Sequence, residues 1–208
     1  GVTMSNADGG QLTTTPKPRG EMRILYASDG PCHARSLLPR PERPSVEEVR
    51  HYIDTLAHNG VDIFAECVFK KQARWFWPEH PDHAHCPQIV DRMGKEHGQP
   101  LEVTIDRCHK RGIKFIVKFR MADRHPGGQR GLIAHRTDLW NDDFGDAAMD
   151  YTHDEVRNWV FALVEEILRR FDVDGFEFNY IRWMHAFPGA TARQSHSTMT
   201  EFIRRVRQ

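Results

Sequence analysis

The stretch HDEVRNWVFALVEEILRRFDVDGFEFNYI, residues 153–181, holds a helix pattern followed directly by a strand pattern. From about residue 153 to 170, apolar residues recur every three or four positions, which predicts a helix with one buried stripe. The stripe comprises Val156, Trp159, Val160, Leu163, Ile167 and Leu168. Over residues 173–181, aromatic and polar residues alternate, which is typical of a β-strand. A helix that leads straight into a strand is the repeating part of a βαβ unit.

The same alternation of strand and helix runs through the chain from Glu21 onward. Earlier apolar runs predict strands at residues 23–28, 61–69 and 113–120, and helices are predicted from Ser45 and over about residues 100–111. A last amphipathic pattern contains Phe202, Ile203 and Val206. Strands and helices that alternate in this way predict an α/β protein with a parallel sheet.

Residues with known preferences stand at the ends of the predicted helices. Ser45 with Glu48, and Thr152 with Glu155, have the spacing of a capping box, in which each side chain binds the other residue's backbone amide. The first two helices are followed by Gly60 and Gly112, and glycine readily takes the left-handed conformation that ends a helix.

Four βα units are about half of the eight in a closed (β/α)8 TIM barrel, which typically needs about 250 residues. We therefore expect residues 21–208 to be the N-terminal half of such a barrel, truncated within a helix, after a flexible leader at residues 1–20 that lacks apolar periodicity. A doubly wound open sheet also accepts four units. However, the first turn, SDGPC at residues 28–32, lacks the glycine-rich phosphate fingerprint of that fold.

Composition narrows the possible partners. Lys and Arg total 29 and Asp and Glu total 29, so there is no net charge to attract nucleic acid or an anionic membrane, and a neutral substrate fits better. No run approaches the roughly 18 apolar residues of a membrane span, and no secretory signal pattern is present at the start. The four cysteines follow neither a disulfide framework nor a metal-binding spacing.

Charged and amide residues fall near the C-terminal ends of the predicted strands, which is where barrels of this kind place their active sites. Because alternate residues of a strand share a face, these side chains are expected to point into the barrel. In the strands at residues 113–120 and 173–181, the aromatic residues are expected to face the helices. In the strand at residues 61–69, the apolar series Val61, Ile63, Ala65 and Cys67 is expected to face the helices, with Phe64 and Val68 inside beside Glu66. The predicted inward residues are Glu66, Lys118, Arg120, Glu177 and Asn179, and Asp29 would join them from just beyond the first strand.

This arrangement suits the hydrolysis of a sugar linkage, which needs two carboxyl groups about 5–10 Å apart. Glu177 and Glu66 are the predicted catalytic pair, and Asp29, Lys118, Arg120 and Asn179 are predicted to bind substrate. Aromatic rings in the loops offer flat faces for stacking on sugars. They are Trp75, Phe76, Trp77, Trp140, Trp183 and Phe187, with His185 beside them.

The stretch from Met149 to Trp183 resembles the barrels of glycosyl hydrolase-like family 10. In that family a helix starting with E-V-R leads to Y/F-D-V-D-G and then to a strand ending D-Y/F-x-R; here the matching parts are residues 155–157, residues 171–175, and Asn179, Tyr180 and Arg182. The resemblance implies a glycosidase that hydrolyses O-glycosidic bonds of an oligo- or polysaccharide and a secreted or periplasmic location. It adds Arg182 to the expected substrate-binding residues, which also include Trp183 as one of the rings that can stack on a sugar.

The chain departs from the family pattern at Asn179, where aspartate is common. An amide cannot donate a proton as an acid or attack as a carboxylate. Either Glu177 carries the chemistry, or the protein is a saccharide-binding barrel that does not cleave. Half a barrel also leaves open sheet edges, so the chain alone is not expected to turn over glycosides.

Two other chemistries remain as alternatives. One loop carries potential zinc ligands, which would suit a metal-dependent hydrolase, although their spacing is irregular and we predict neither a metal nor another cofactor. These residues are Glu79, His80, Asp82, His83, His85 and Cys86. Lys118 on a barrel strand is the candidate for a Schiff-base enzyme.

Overall fold

A computed structural model describes residues 23–28, 45–70, 73–74, 100–121, 136–141, 148–180, 187 and 192–208. The elements in chain order are β1 (Leu25–Ser28), α1 (Val46–His58), β2 (Ile63–Lys70), β3 (Ala73–Arg74), α2 (Pro100–Lys110), β4 (Lys114–Arg120), a 3₁₀ turn (Thr137–Leu139), β5 (Trp140–Asn141), β6 (Ala148–Met149), α3 (Asp154–Arg170), β7 (Gly175–Asn179) and α4 (Ala192–Val206). The predicted leader at residues 1–20 lies outside the described residues. None of the helices in the described ranges is long and apolar enough to cross a membrane.

The main sheet has the strand order β1-β2-β4-β7, and each neighbouring pair in this order is parallel. Strands that follow one another in the chain therefore lie side by side, with no reversal of order of the kind that defines a doubly wound sheet. This arrangement confirms the predicted α/β fold with four parallel strands of a partial (β/α)8 barrel. Two short antiparallel pairings, β2 with β3 and β5 with β6, were not predicted.

One side of the sheet packs against the helices, and we call it the helix-facing side. Its aromatic rings contact both other strands and the helices: Phe64 lies 5.8 Å from Tyr52 of α1 and 5.7 Å from Phe115, measured between ring centroids. Phe178 lies 5.6 Å from Phe202 of α4. The hydrophobic core of the described residues therefore sits between this side and the helices. The opposite side, which we call the inner face, corresponds to the interior of the barrel.

The predicted ends of α1 and α2 are confirmed. Ser45 Oγ accepts a hydrogen bond from the backbone N–H of Glu48 at 3.1 Å, and Glu48 Oε2 accepts one from the N–H of Ser45 at 2.6 Å, which completes the capping box. Gly60 and Gly112 have φ values of 78° and 72°, so both helices end in the left-handed glycine conformation.

At α3, two predictions are wrong. Thr152 does not cap the helix, because its N–H and its hydroxyl both donate to Asp150 Oδ1, at 2.8 and 2.7 Å, while the Glu155 carboxylate accepts from Arg136 at 2.9 Å. Leu168, predicted to be buried, is 43% exposed. The other five residues of the predicted stripe are buried, and Leu168 falls at the margin of that stripe near the end of the helix.

Candidate active site

Four of the sequence-predicted site residues share the inner face at the C-terminal ends of β4 and β7. In a parallel pair, aligned residues point to the same side, and neighbouring strands lie about 4.8 Å apart. Lys118 is aligned with Glu177, and Arg120 is aligned with Asn179. We call these four residues the inner-face cluster. Their roles in binding or catalysis stay predictions.

Within the cluster, Asn179 Nδ2 donates a hydrogen bond to Glu177 Oε1 at 2.7 Å. The two side chains lie two residues apart on one strand, so the alternation of β7 brings them together. Lys118, Arg120 and Asn179 are buried and Glu177 is half-buried. The carboxylate is thus the most accessible member of the cluster.

The backbone around Asn179 is tied to the end of β4. The N–H of Met121 donates to the carbonyl oxygen of Asn179 at 3.0 Å, and the fully buried Tyr151 hydroxyl donates to the carbonyl oxygen of Met121 at 2.7 Å. Burial raises the pKa of Tyr151 well above its usual range, so this hydroxyl keeps its proton. Tyr151 was not among the residues predicted from the sequence, although a tyrosine in the turn before α3 offers a polar group for such a contact.

The predicted inward position of Glu66 is wrong. Glu66 is aligned with Ser28 of β1 and Val117 of β4, which places it on the helix-facing side. Its surroundings agree with this position. Burial raises the pKa of Tyr52 in α1 and of Cys108 in α2, and the nearby negative charge of Glu66 raises both further. Glu66 and Glu177 therefore lie on opposite sides of the sheet.

The inner position next to Lys118 is occupied by Cys67 instead, and its side chain is buried. Side-chain size would have identified the correct face. Phe64 is aligned with Phe115, so the bulky residue of β2 packs against the helices as the bulky residues of β4 and β7 do. The small residues Ala65 and Cys67 are then left for the crowded barrel interior.

At the opposite end of the strands, the second aspartate of the family-like stretch has a structural contact. Asp174 Oδ2 accepts a hydrogen bond from the N–H of Phe115 at 2.8 Å and lies 2.9 Å from His109 Nε2. Burial favours a higher pKa for Asp174, but the hydrogen bonds from Phe115 and His109 outweigh it, and its pKa is lowered. This aspartate joins the starts of β4 and β7 to the end of α2.

Several predicted residues fall outside the described ranges. These are Asp29, Arg182 and Trp183, the aromatic residues at positions 75–77, His185, and the potential metal ligands at positions 79–86. Of the predicted sugar-stacking aromatics, Trp140 and Phe187 are described, and both are half-buried and packed against the core. Phe187 lies 6.2 Å from the ring of Tyr151, so it contributes to packing beside the end of β4.

Comparison with known proteins shows a match to the model of the family described as glycosyl hydrolase-like 10, over residues 38–197. The chain is also similar to the glycosyl hydrolase DigH of Escherichia coli K12, with 28% identity over an alignment of 109 residues. The match covers 44% of this chain and 24% of that protein. The chain thus spans about a quarter of the length of the curated relatives that it matches.

Solved structures share the fold. The chitobiase of Flavobacterium johnsoniae superimposes with a TM-score of 0.60 at 14% identity, covering 91% of this chain and 30% of that one. A maltogenic α-amylase of Thermotoga neapolitana superimposes with a TM-score of 0.54 at 11% identity, covering 87% of this chain and 43% of that one. These similarities support the barrel architecture.

Proposed function

The chain belongs to the glycosyl hydrolase-like 10 family, and from this premise we propose that the protein hydrolyses O-glycosidic bonds of an oligo- or polysaccharide. One observation carries the proposal: the half-buried Glu177 carboxylate lies on the inner face at the C-terminal end of β7, hydrogen-bonded to Asn179. Active sites of barrel enzymes occupy that end of the strands.

Glu177 supplies one of the two carboxyl groups that glycoside hydrolysis requires. Of the residues aligned on the inner face in the described parts of the four parallel strands, Glu177 alone carries a carboxylate. Glu66 points to the helices, so the second carboxyl group comes from a residue outside these four strands. Lys118 and Arg120 carry only hydrogen-bond donors, which suits them to hold the acceptor oxygens of a sugar beside Glu177.

The test is Glu177→Gln in the full-length protein. The amide keeps an oxygen that can accept the Asn179 hydrogen bond but cannot exchange a proton or attack as a carboxylate. We expect kcat to fall on the order of a thousandfold, within the range that a positioned acid or base contributes, while saccharide binding is retained. Release of reducing ends from a panel of oligosaccharides measures kcat, and calorimetry measures binding.

Glu165→Gln is the matched control, because it is the same substitution at an exposed position of α3, away from the inner face. It should keep wild-type kcat. Wild-type kcat in Glu177→Gln would remove Glu177 from the mechanism.

The second candidate function is a barrel that binds saccharide without cleaving it. The observation that favours it is Asn179, which provides an amide where the family pattern has a carboxylate. Saccharide binding by the wild-type protein with no release of reducing ends from any member of the panel would establish this function instead.

A further inference from the structure

The contact between Asn179 and Glu177 assigns a task to the amide. We propose that Asn179 is a positioning residue, which holds Oε1 of Glu177 and thereby leaves Oε2 as the carboxylate oxygen that meets the substrate. The inference rests on the proposed function, because it concerns how the carboxylate of that site is oriented. It differs from the role predicted from sequence, in which Asn179 binds the sugar itself.

The side-chain amide of Asn179 is suited to this task because hydrogen bonds hold the backbone that carries it. Asn179 is 8% exposed, and its backbone carbonyl oxygen accepts a hydrogen bond from the N–H of Met121. The carbonyl oxygen of Met121 is bound in turn by the buried hydroxyl of Tyr151. A chain of hydrogen bonds therefore runs from the core to Oε1 of Glu177. A carboxylate whose rotation is restricted in this way is preorganised for reaction.

The departure from the family pattern has a physical consequence at this contact. An aspartate at position 179 would place a second carboxyl group against Glu177, where the amide nitrogen now lies 2.7 Å from Oε1. Two carboxylates at such a distance share a proton and titrate as a pair. The amide instead donates to Glu177 and carries no charge. The charged groups that face this pair from the neighbouring strand are Lys118 and Arg120 of β4.

Two substitutions test the assignment in the full-length protein. In Asn179→Ala, we expect kcat on the oligosaccharide to fall on the order of a hundredfold with little change in KM, because the carboxylate loses its orientation while the sugar contacts remain. In Asn179→Asp, we expect kcat to fall as well, because the uncharged donor that holds Oε1 is replaced by a carboxyl group that repels Glu177 when it is ionised.

A second measurement does not require turnover. Carbon-13 labelling of glutamate side chains follows the Glu177 carboxyl directly by NMR, with Glu177→Gln identifying its signal. We expect the Glu177 signal to shift in both Asn179→Ala and Asn179→Asp, because neither variant keeps the amide that donates to Oε1.

The possible results separate this inference from the proposed function. An unchanged Glu177 signal and unchanged kinetics in Asn179→Ala would overturn the positioning role, even if Glu177→Gln abolishes hydrolysis. A rise of KM alone in Asn179→Ala would also overturn it and make Asn179 a substrate-binding residue. If the NMR shifts occur but the wild-type protein cleaves no saccharide, the positioning contact stands and the proposed hydrolysis fails.

Discussion

Gly175 packs so closely against the neighbouring strand that no side chain fits without movement. Gly175 of β7 is aligned with Ile116 of β4 on the inner face, and a Cβ built at Gly175 would lie 2.8 Å from Ile116 Cδ1. The Cβ would meet the far end of the Ile116 side chain, so a larger residue at position 175 requires Ile116 to move. Gly175 lies two residues before Glu177, on the same face of β7.

Gly175→Ala should lower the free energy of unfolding by about 1 kcal/mol, a typical cost of overpacking a close contact. Ile116→Val removes Cδ1 and, by itself, should cost about 0.5–1.5 kcal/mol. In the double variant the alanine meets no Cδ1, so the two costs should not add, and a double-mutant cycle measured by urea unfolding gives their coupling. Simple additivity in that cycle would show that the Ile116 contact does not explain the glycine.

Alternation along a strand was sufficient to predict the inner-face cluster on β4 and β7, because aromatic residues mark the other face there. On β2 the same reasoning went wrong for Glu66. There the apolar series Val61, Ile63, Ala65 and Cys67 was assigned to the helices, which left Phe64 inside with Glu66. Parallel register places Phe64 with Phe115, and this packing of large apolar groups decides the orientation of β2. Glu66 is buried among the helices as a result.

The helices α1 and α2 are joined by an ion pair with two hydrogen bonds. Arg107 of α2 donates from Nε to Asp54 Oδ1 at 2.7 Å and from Nη2 to Asp54 Oδ2 at 2.5 Å, and Arg111 Nε lies 3.0 Å from the same Oδ1. Burial favours a higher pKa for Asp54, but the hydrogen bonds and charge of Arg107 outweigh it, so the pKa of Asp54 is lowered. Both side chains of the pair are about three-quarters buried.

We expect Arg107→Lys to lower the free energy of unfolding by about 1 kcal/mol, because an ammonium group cannot reproduce the two parallel hydrogen bonds of the guanidinium. The matched control is Arg50→Lys, whose arginine pairs with Glu47 at 2.7 Å on the exposed surface of α1. Exposed pairs of this kind contribute little, so the control should unfold like the wild type. Equal losses in both variants would mean that the fork geometry of Arg107 is not what joins the helices.

Helix boundaries were predictable only where the capping residue had no stronger partner nearby. Ser45 and Glu48 bind each other's backbone amides, as their spacing predicts. Thr152 and Glu155 have the same spacing, but the Thr152 side chain binds Asp150 and the Glu155 side chain binds Arg136 instead. Asp150 lies two residues before Thr152, so this competing acceptor is visible in the sequence. The contact with Arg136 depends on tertiary structure and is not.

For the molecule as a whole, repeated βα units were enough to predict four parallel strands in sequential order. The two-residue strands β3, β5 and β6 were not predictable, because two residues are too few to show an alternating pattern. The candidate site was predictable only in part. Each of its residues could be chosen from its own strand, but which of them meet depends on the register between strands, and that register is set by core packing.

The stability of the whole molecule should decline at both ends of the pH range, for different reasons. The pKa values of Asp54 and Asp174 are lowered from their usual 3.8, so the stability that these carboxylates contribute is present above about pH 4 and is lost as the pH falls through their folded values. Burial raises the pKa values of Tyr52 and Tyr151 above their usual 10.0. Their contribution is fully present below pH 10 and is lost as the pH rises further.

One variant for each limb tests this account. Asp174→Asn can still accept a hydrogen bond from the N–H of Phe115 but cannot ionise, so it should be less stable than the wild type at pH 7 by about 1–3 kcal/mol and should lose less stability on acidification. Tyr52→Phe has no phenol to ionise, so it should lose less stability than the wild type above pH 10. Urea unfolding at a series of pH values gives the free energy of unfolding on the acid and the alkaline side. Each variant is the control for the other. Asp174→Asn should leave the loss of stability above pH 10 unchanged, and Tyr52→Phe should leave the loss on acidification unchanged. If stability falls as steeply with acid in Asp174→Asn as in the wild type, the hydrogen bonds to Asp174 are not a source of the acid sensitivity. If stability above pH 10 falls equally in Tyr52→Phe and the wild type, the buried phenol is not a source of the alkaline sensitivity.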